Sequence, residues 1–242
     1  AGEFLALLPT IYSISGNSGS LNGGKILTLS GSGLDTEGTQ VLFDNFDVCE
    51  ILTSSYTQLT CRAPKFNTGA NTQPDSERTI SVNGVNTGNY NFEVTPEESK
   101  FSYLQSETPV ITQIAIQGGL TFNADGSNSH QEGAVQDIKA GSIISWTVEN
   151  DSGSGFTVLL NNIECMKDSA TASVCTLNDN LPAGNIEVVF RDNSFGNAYL
   201  APELGLALNA PSELTNLAPT SGSLAGGNII DISGSGFNDL ST

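Results

Sequence analysis

The chain has 242 residues, enough for one large domain or two ordinary ones, and only 14% of them are charged. Gly, Ser, Thr and Asn fill much of the remainder, which suits short strands joined by many turns and argues against helical bundles. With 26 acidic and 8 basic side chains the net charge is −18. Phosphate backbones are repelled by such a chain, and no Lys/Arg cluster offsets the repulsion, so nucleic acid is excluded as a partner.

Residues 1–8, AGEFLALL, are an apolar lead-in and resemble 201–208, APELGLAL. So apolar an end is expected to pack against a neighbouring module or another chain, the alternative being a flexible terminus. The run is too short for a signal peptide and has no basic flank. No apolar run approaches the roughly 20 residues that span a bilayer. The sequence therefore reads as a mature form or as a window on something longer, with no segment of its own inserting into a membrane.

Ser18–Leu34, SGSLNGGKILTLSGSGL, returns as Ser221–Phe237, SGSLAGGNIIDISGSGF, with 11 of 17 positions identical. One module is therefore used more than once. Each copy reads as turn, strand, turn: Gly23–Gly24 and Gly226–Gly227 permit a tight turn, and a β-prone run follows. Across 9–108 strands are predicted near 10–14, 25–29, 40–43, 47–51, 57–61, 79–83, 89–94 and 100–104, with a polar loop at 65–77. Short strands at this density indicate an immunoglobulin-like sandwich. Its expected core comprises Ile26, Leu29, Val41, Phe43, Leu59, Ile80, Val82 and Phe92.

The lead-in Pro9 and Ile11, the Ser-Gly-Ser and Gly-Gly turns, and Gly31-Ser32-Gly33-Leu34 resemble the opening of IPT/TIG domains. Val41–Phe43, Val48–Ile51 and Thr57–Pro64 are similar to that family's paired-cysteine segment, and Phe101–Tyr103 to its closing strand. IPT/TIG domains are immunoglobulin-like modules of plexin-type receptors, fibrocystin-like surface proteins and some transcription factors. The resemblance implies an all-β chain of tandem immunoglobulin-like sandwiches.

A second, divergent module is expected over 109–202, because Pro109–Ile114 repeats the pattern of Pro9–Ile14. It carries a polar insertion at about 118–136, either disordered or used for contact. A linker at 203–216 then leads to the first strands of a third module at 217–242. Two strands bury no sandwich core. Either further modules follow, or another molecule supplies the missing strands, with the N-terminal segment as the obvious donor.

The cysteines fall in close pairs, Cys49/Cys61 and Cys165/Cys175, one per module. They read as two local disulfides in an oxidising compartment, each contributing roughly 3 kcal/mol in the chain-entropy description. A four-thiolate metal site is the lesser reading, since Cys-x-x-Cys is missing. The single histidine, His130, lies in the insertion and has no triad partners placed by spacing. Asp44, Asp47, Glu50, Glu97, Glu98 and Asp179 fall at predicted turns or strand ends, with nothing to set two of them across a cleft. No enzyme is expected, and no cofactor. Asp35/Glu37 and Glu149/Asp151 are the nearest approach to alternating calcium ligands and imply weak surface binding at most. Asn150-Asp151-Ser152 is the single N-x-S/T sequon, which makes Asn150 a glycan site in a secreted chain. Trp146, the only tryptophan, is expected in a sandwich core rather than against carbohydrate.

These readings point to a non-enzymatic extracellular structural protein whose modules form a rod or filament at the cell surface. The alternative is a ligand-binding segment of an adhesion or signalling receptor. Self-association, or another extracellular protein or glycan, is the expected partnership.

Overall fold

A computed structural model describes residues 9–35, 38–66, 75–84, 98–128, 131, 133–167, 173–179 and 181–237, together with the backbone of 88–89 and 91–92. Among the described residues the regular structure is strand, apart from the 3-10 turns Gln105–Glu107 and Pro202–Leu204. The chain is all-β with an immunoglobulin-like fold. It forms two compact units: 1–110 with 149–155 and 191–199, and 111–148 with 156–190 and 200–242.

The first unit is a two-sheet sandwich. One sheet runs in the order Asn91–Phe92, Thr10–Ser15, Ile26–Ser32, Gln58–Arg62, Glu50–Ser54. The other runs Ser18–Gly19, Lys100–Tyr103, Ser76–Gly84, Gln40–Phe43, Asp47–Val48. Alternation along each strand sends every second side chain inward. The core accordingly gathers Ile11, Leu27, Leu29, Val41, Phe43, Leu59, Ile80, Val82, Phe101 and Tyr103. At its centre the Phe43 and Phe101 rings meet edge-on at 5.4 Å, and Phe101 meets Tyr103 at 4.7 Å. Tyr103 donates its hydroxyl to the Pro64 carbonyl at 2.8 Å, so the buried phenol stays satisfied.

Ile26 departs from the expected core, for it is 47% exposed while Leu27 is fully buried. Side chains alternate along a strand, so Leu27 and Leu29 face inward together and Ile26, three residues before Leu29, faces out. The side chain of Phe92, the lead-in 1–8 and most of the 65–77 loop lie outside the described residues.

The first hairpin pairs Thr10 with Ser32 and Ile11 with Gly31, then slips at a bulge to Ser13 with Ser30, Ile14 with Leu29 and Ser15 with Thr28. The second copy of the motif pairs Glu213 with Ser235, Leu214 with Gly234, then Asn216 with Ser233, Leu217 with Ile232 and Ala218 with Asp231. Every partner, and the bulge, is displaced by 203 residues. A Cβ at Gly31 would fall on the Thr10 carbonyl oxygen, and one at Gly234 on that of Glu213. Glycine is required at this close approach in both copies.

In the second unit the main sheet includes, in order, Thr121–Asn123, Val110–Ile116, Ile143–Glu149, Val174–Thr176, Ile163–Lys167, Phe156–Leu160 and Val188–Asp192. A smaller sheet sets Leu208–Ala210 between Gln136–Asp137 and Gly184–Ile186. Trp146 is 4% exposed and packs edge-on against Phe156 and Phe190. The stretch expected as a linker at 203–216 instead contains strand Leu208–Ala210 and the start of strand Glu213–Ala218. Pairing of Leu208–Ala210 with Gly184–Ile186 carries the second module's sheet past residue 202. Part of the polar stretch 118–136 is also built into the sheet: Thr121–Asn123 pairs with Val110–Ile116, Phe122 is fully buried, and the Gln136 side chain accepts the Leu120 N–H at 2.8 Å.

Replacing Phe101 by Ala removes a ring that packs against both Phe43 and Tyr103. The expected loss is about 3–5 kcal/mol of stability, read as a shift of the urea midpoint. A change below about 1 kcal/mol would contradict a shared core between the two sheets.

Candidate functional site

The residues singled out by sequence divide by what they touch. Cys49 is disulfide-bonded to Cys61, and Cys165 to Cys175, over separations of 12 and 10 residues; all four are buried. Arg78 binds both Asp44 and Asp47, and its guanidinium stands 4.6 Å from the centre of the Phe66 ring. Glu50 is held by Arg62 at 2.5 Å. These carboxylates answer local arginines. Asp179 is exposed. His130, Glu37 and Glu97 lie outside the described residues. Glu149 and Asp151 are exposed, and among the described residues no group of three His, Cys, Asp or Glu side chains is arranged to hold a metal.

The most elaborate polar geometry is one the sequence reading passed over. Residues 149–155 and 191–199 belong to the first compact unit. Asp192 anchors them and is only 1% exposed. Its carboxylate accepts the Ser152 hydroxyl at 2.6 and 2.7 Å and the Ser154 hydroxyl at 3.2 Å. It also accepts the backbone N–H groups of Ser194 and Phe195, both at 2.8 Å, and of Ser152 at 3.1 Å. Burial pushes the carboxyl's pKa up. The Ser152 hydroxyl and the N–H donors of Phe195, Ser194 and Ser152 outweigh burial, and the net result lies below the ordinary carboxylate range.

The loop that Asp192 shapes meets the Gly23–Gly24 turn of the repeated motif. Fully buried Ser20 donates its N–H to the Phe195 carbonyl at 2.8 Å and its hydroxyl to that of Asn197 at 2.6 Å. Asn197 returns its own N–H to Gly23 at 2.7 Å and its side-chain amide to the Asn22 carbonyl at 3.3 Å. The Lys25 ammonium donates to the Ser194 carbonyl. Gly196 has φ +107°, and a Cβ there would collide with backbone at Gly23 and Lys25. These main-chain contacts lie within one compact unit and fix the 191–199 loop against the Gly23–Gly24 turn.

A disulfide-stapled two-sheet sandwich, with a motif used again further along, defines a modular immunoglobulin-like protein. Residues 9–96 match the IPT/TIG domain. Over 231 residues the chain is 26% identical to mouse (Mus musculus) Fibrocystin-L, and over 235 residues it is 28% identical to human (Homo sapiens) Fibrocystin-L. Each match covers 93% of this chain and 5% of the relative, so the chain spans about a twentieth of the curated relatives it matches. Among solved structures, the TIG domain from human Nuclear factor of activated T-cells, cytoplasmic 4 is 16% identical at a TM-score of 0.33, covering 43% of this chain and 94% of that one. The Plexin A4 extracellular region is 14% identical at a TM-score of 0.33, covering 87% of this chain and 16% of that one.

Two expectations follow from the Asp192 geometry. Asp192→Ala leaves several buried donors unanswered and is expected to cost roughly 2–3 kcal/mol at neutral pH. Because the folded carboxyl's pKa is depressed below its unfolded value of about 3.9, its contribution is complete above that value and is lost as pH falls toward the folded pKa. The difference in urea midpoint between parent and variant should therefore narrow on acidification to about pH 3; a constant difference would contradict an ionised Asp192. Gly196→Ala should weaken local closure by about 1–3 kcal/mol, read as faster hydrogen exchange at the Ser20 and Asn197 amides.

Proposed function

We propose that this chain is a non-enzymatic segment of an extracellular ectodomain built from immunoglobulin-like modules in series. The observation that carries the reading is the repeated hairpin, which preserves each strand pairing and the bulge at a displacement of 203 residues. Similarity to Fibrocystin-L along 93% of the chain supports a continuous array over an isolated domain. Two disulfides support an oxidising location. The work of such a segment is to extend and present: serial modules interact chiefly with their neighbours, and chain length converts to reach.

Contact with another protein, a glycan or a second copy belongs to the same reading. In the first unit Phe46, Val48 and Tyr56 are 84%, 54% and 56% exposed, an apolar allotment available to a partner surface. A net charge of −18 disperses the array among like-charged neighbours and turns polyanions away. Assembly into a surface filament is the stronger form of the proposal, and a receptor-type ectodomain is its alternative.

Antibodies raised against this segment should label intact, unpermeabilised cells that express the natural protein. Labelling only after permeabilisation would overturn the extracellular assignment. Sedimentation and electron microscopy of the purified chain at rising concentration separate the two forms. Regular polymers are expected of a filament, and monodisperse particles at every concentration would reject it in favour of the receptor-type segment.

A further inference from the structure

We propose that Asn150 carries an N-linked glycan, attached before the loop that contains it folds. The inference rests on the extracellular reading above and adds a modified residue to it. Asn150-Asp151-Ser152 satisfies the N-x-S acceptor pattern with a middle residue other than proline. Asn150 is exposed and sits just beyond strand Ile143–Glu149 with φ +58°, in the left-handed region that Asn tolerates better than most residues. Its Nδ2 donates to the Thr108 carbonyl at 3.4 Å, which engages one amide hydrogen and leaves the second for substitution. The contact that the folded Asn150 amide makes with Thr108 needs one N–H, which a secondary amide keeps.

The order of events follows from Ser152. The acceptor pattern demands a hydroxyl two residues after the asparagine. In the folded protein that hydroxyl lies 2.6 and 2.7 Å from the two carboxylate oxygens of Asp192 and 2.6 Å from the Ser154 hydroxyl, while the Ser152 N–H is held by the same carboxylate. Asp192 stands 40 residues further along the chain, so during synthesis the sequon emerges before its captor. Transfer forms a bond from Asn150 Nδ2 to the anomeric carbon of a polyprenyl-pyrophosphate oligosaccharide. The bond from that carbon to the pyrophosphate oxygen breaks, the lipid pyrophosphate leaves with the bonding pair, and one amide proton passes to a base. Folding then closes Ser152 onto Asp192 beneath a sugar already in place.

The test expresses the full chain behind a secretory leader in cultured animal cells. Asn150 is then read by peptide mass spectrometry, in secreted and retained pools, after N-glycosidase treatment in heavy-oxygen water. Conversion of Asn150 to labelled aspartate is expected, with a gel shift lost in Asn150→Asp. Secreted protein with bare Asn150 overturns the glycan and leaves the extracellular reading standing. Glycosylated protein that is wholly retained upholds the glycan and counts against that reading; retained and bare protein overturns both. For the order, folded and denatured chains made in bacteria are offered to purified oligosaccharyltransferase with its lipid-linked donor. Modification of the denatured chain alone is expected, and equal modification of both would overturn attachment before folding.

Discussion

Gly31 lies against the carbonyl of Thr10 so closely that a methyl group has no room, and Gly234 repeats the approach at Glu213. That contact lets the strand carrying Ile11 slip past its partner by one residue at Tyr12 and resume pairing at Ser13. The slip restores inward alternation, so that Ile11 and Leu29 both reach the core despite lying on opposite sides of the bulge. In the second copy the equivalent Leu214 and Ile232 are 61% and 57% exposed, yet the register is unchanged. Register at this hairpin is thus a property of its glycines and bulge, with burial added afterwards. A module whose entry is set locally can be copied many times while its remaining strands diverge.

Several of the carboxylates are likewise held by local partners. Asp44 and Asp47 hold Arg78, Glu50 holds Arg62, and Asp192 gathers serine hydroxyls and amide groups. The pairs that reach the surface, Glu50 with Arg62 and Asp44 with Arg78, contribute little to stability. The buried Asp192 is different in kind, because removing it would strand several donors at once. Sequence position gave no hint of that difference: Arg-Asp-Asn-Ser at 191–194 looks like any polar turn, and Ser152 and Ser154 sit 40 and 38 residues away from their partner.

The legibility of the chain follows the range of the forces involved. Alternation is a short-range signal, and it placed Leu29, Val41, Phe43, Leu59, Ile80 and Val82 in the core. It failed at Ile26, where two adjacent aliphatic residues offered either face and only the start of the strand could choose. The paired cysteines were legible for the same reason: Cys165 and Cys175 sit on neighbouring strands, and Cys49 immediately precedes the strand that pairs with the one holding Cys61. Thr121–Asn123 was hidden inside a polar stretch because three residues carry too little periodicity, although buried Phe122 between two polar residues was the available sign. The seat formed by Ser20, Gly23 and Asn197 was beyond reach, since it joins segments far apart in sequence through main-chain atoms, which every residue shares.

Both disulfides close small loops, of 12 and 10 residues, inside a single module. In an array of many such modules, the number of wrong cysteine pairings grows steeply with every module added. Short-range bridges evade that growth, because a cysteine meets its own partner far more often than one in the next module. Each module can thus be oxidised as it leaves the ribosome, with no need to wait for the rest of the array. The length of such a protein is then limited by the cell's capacity to synthesise it rather than by the sorting of its sulfur chemistry.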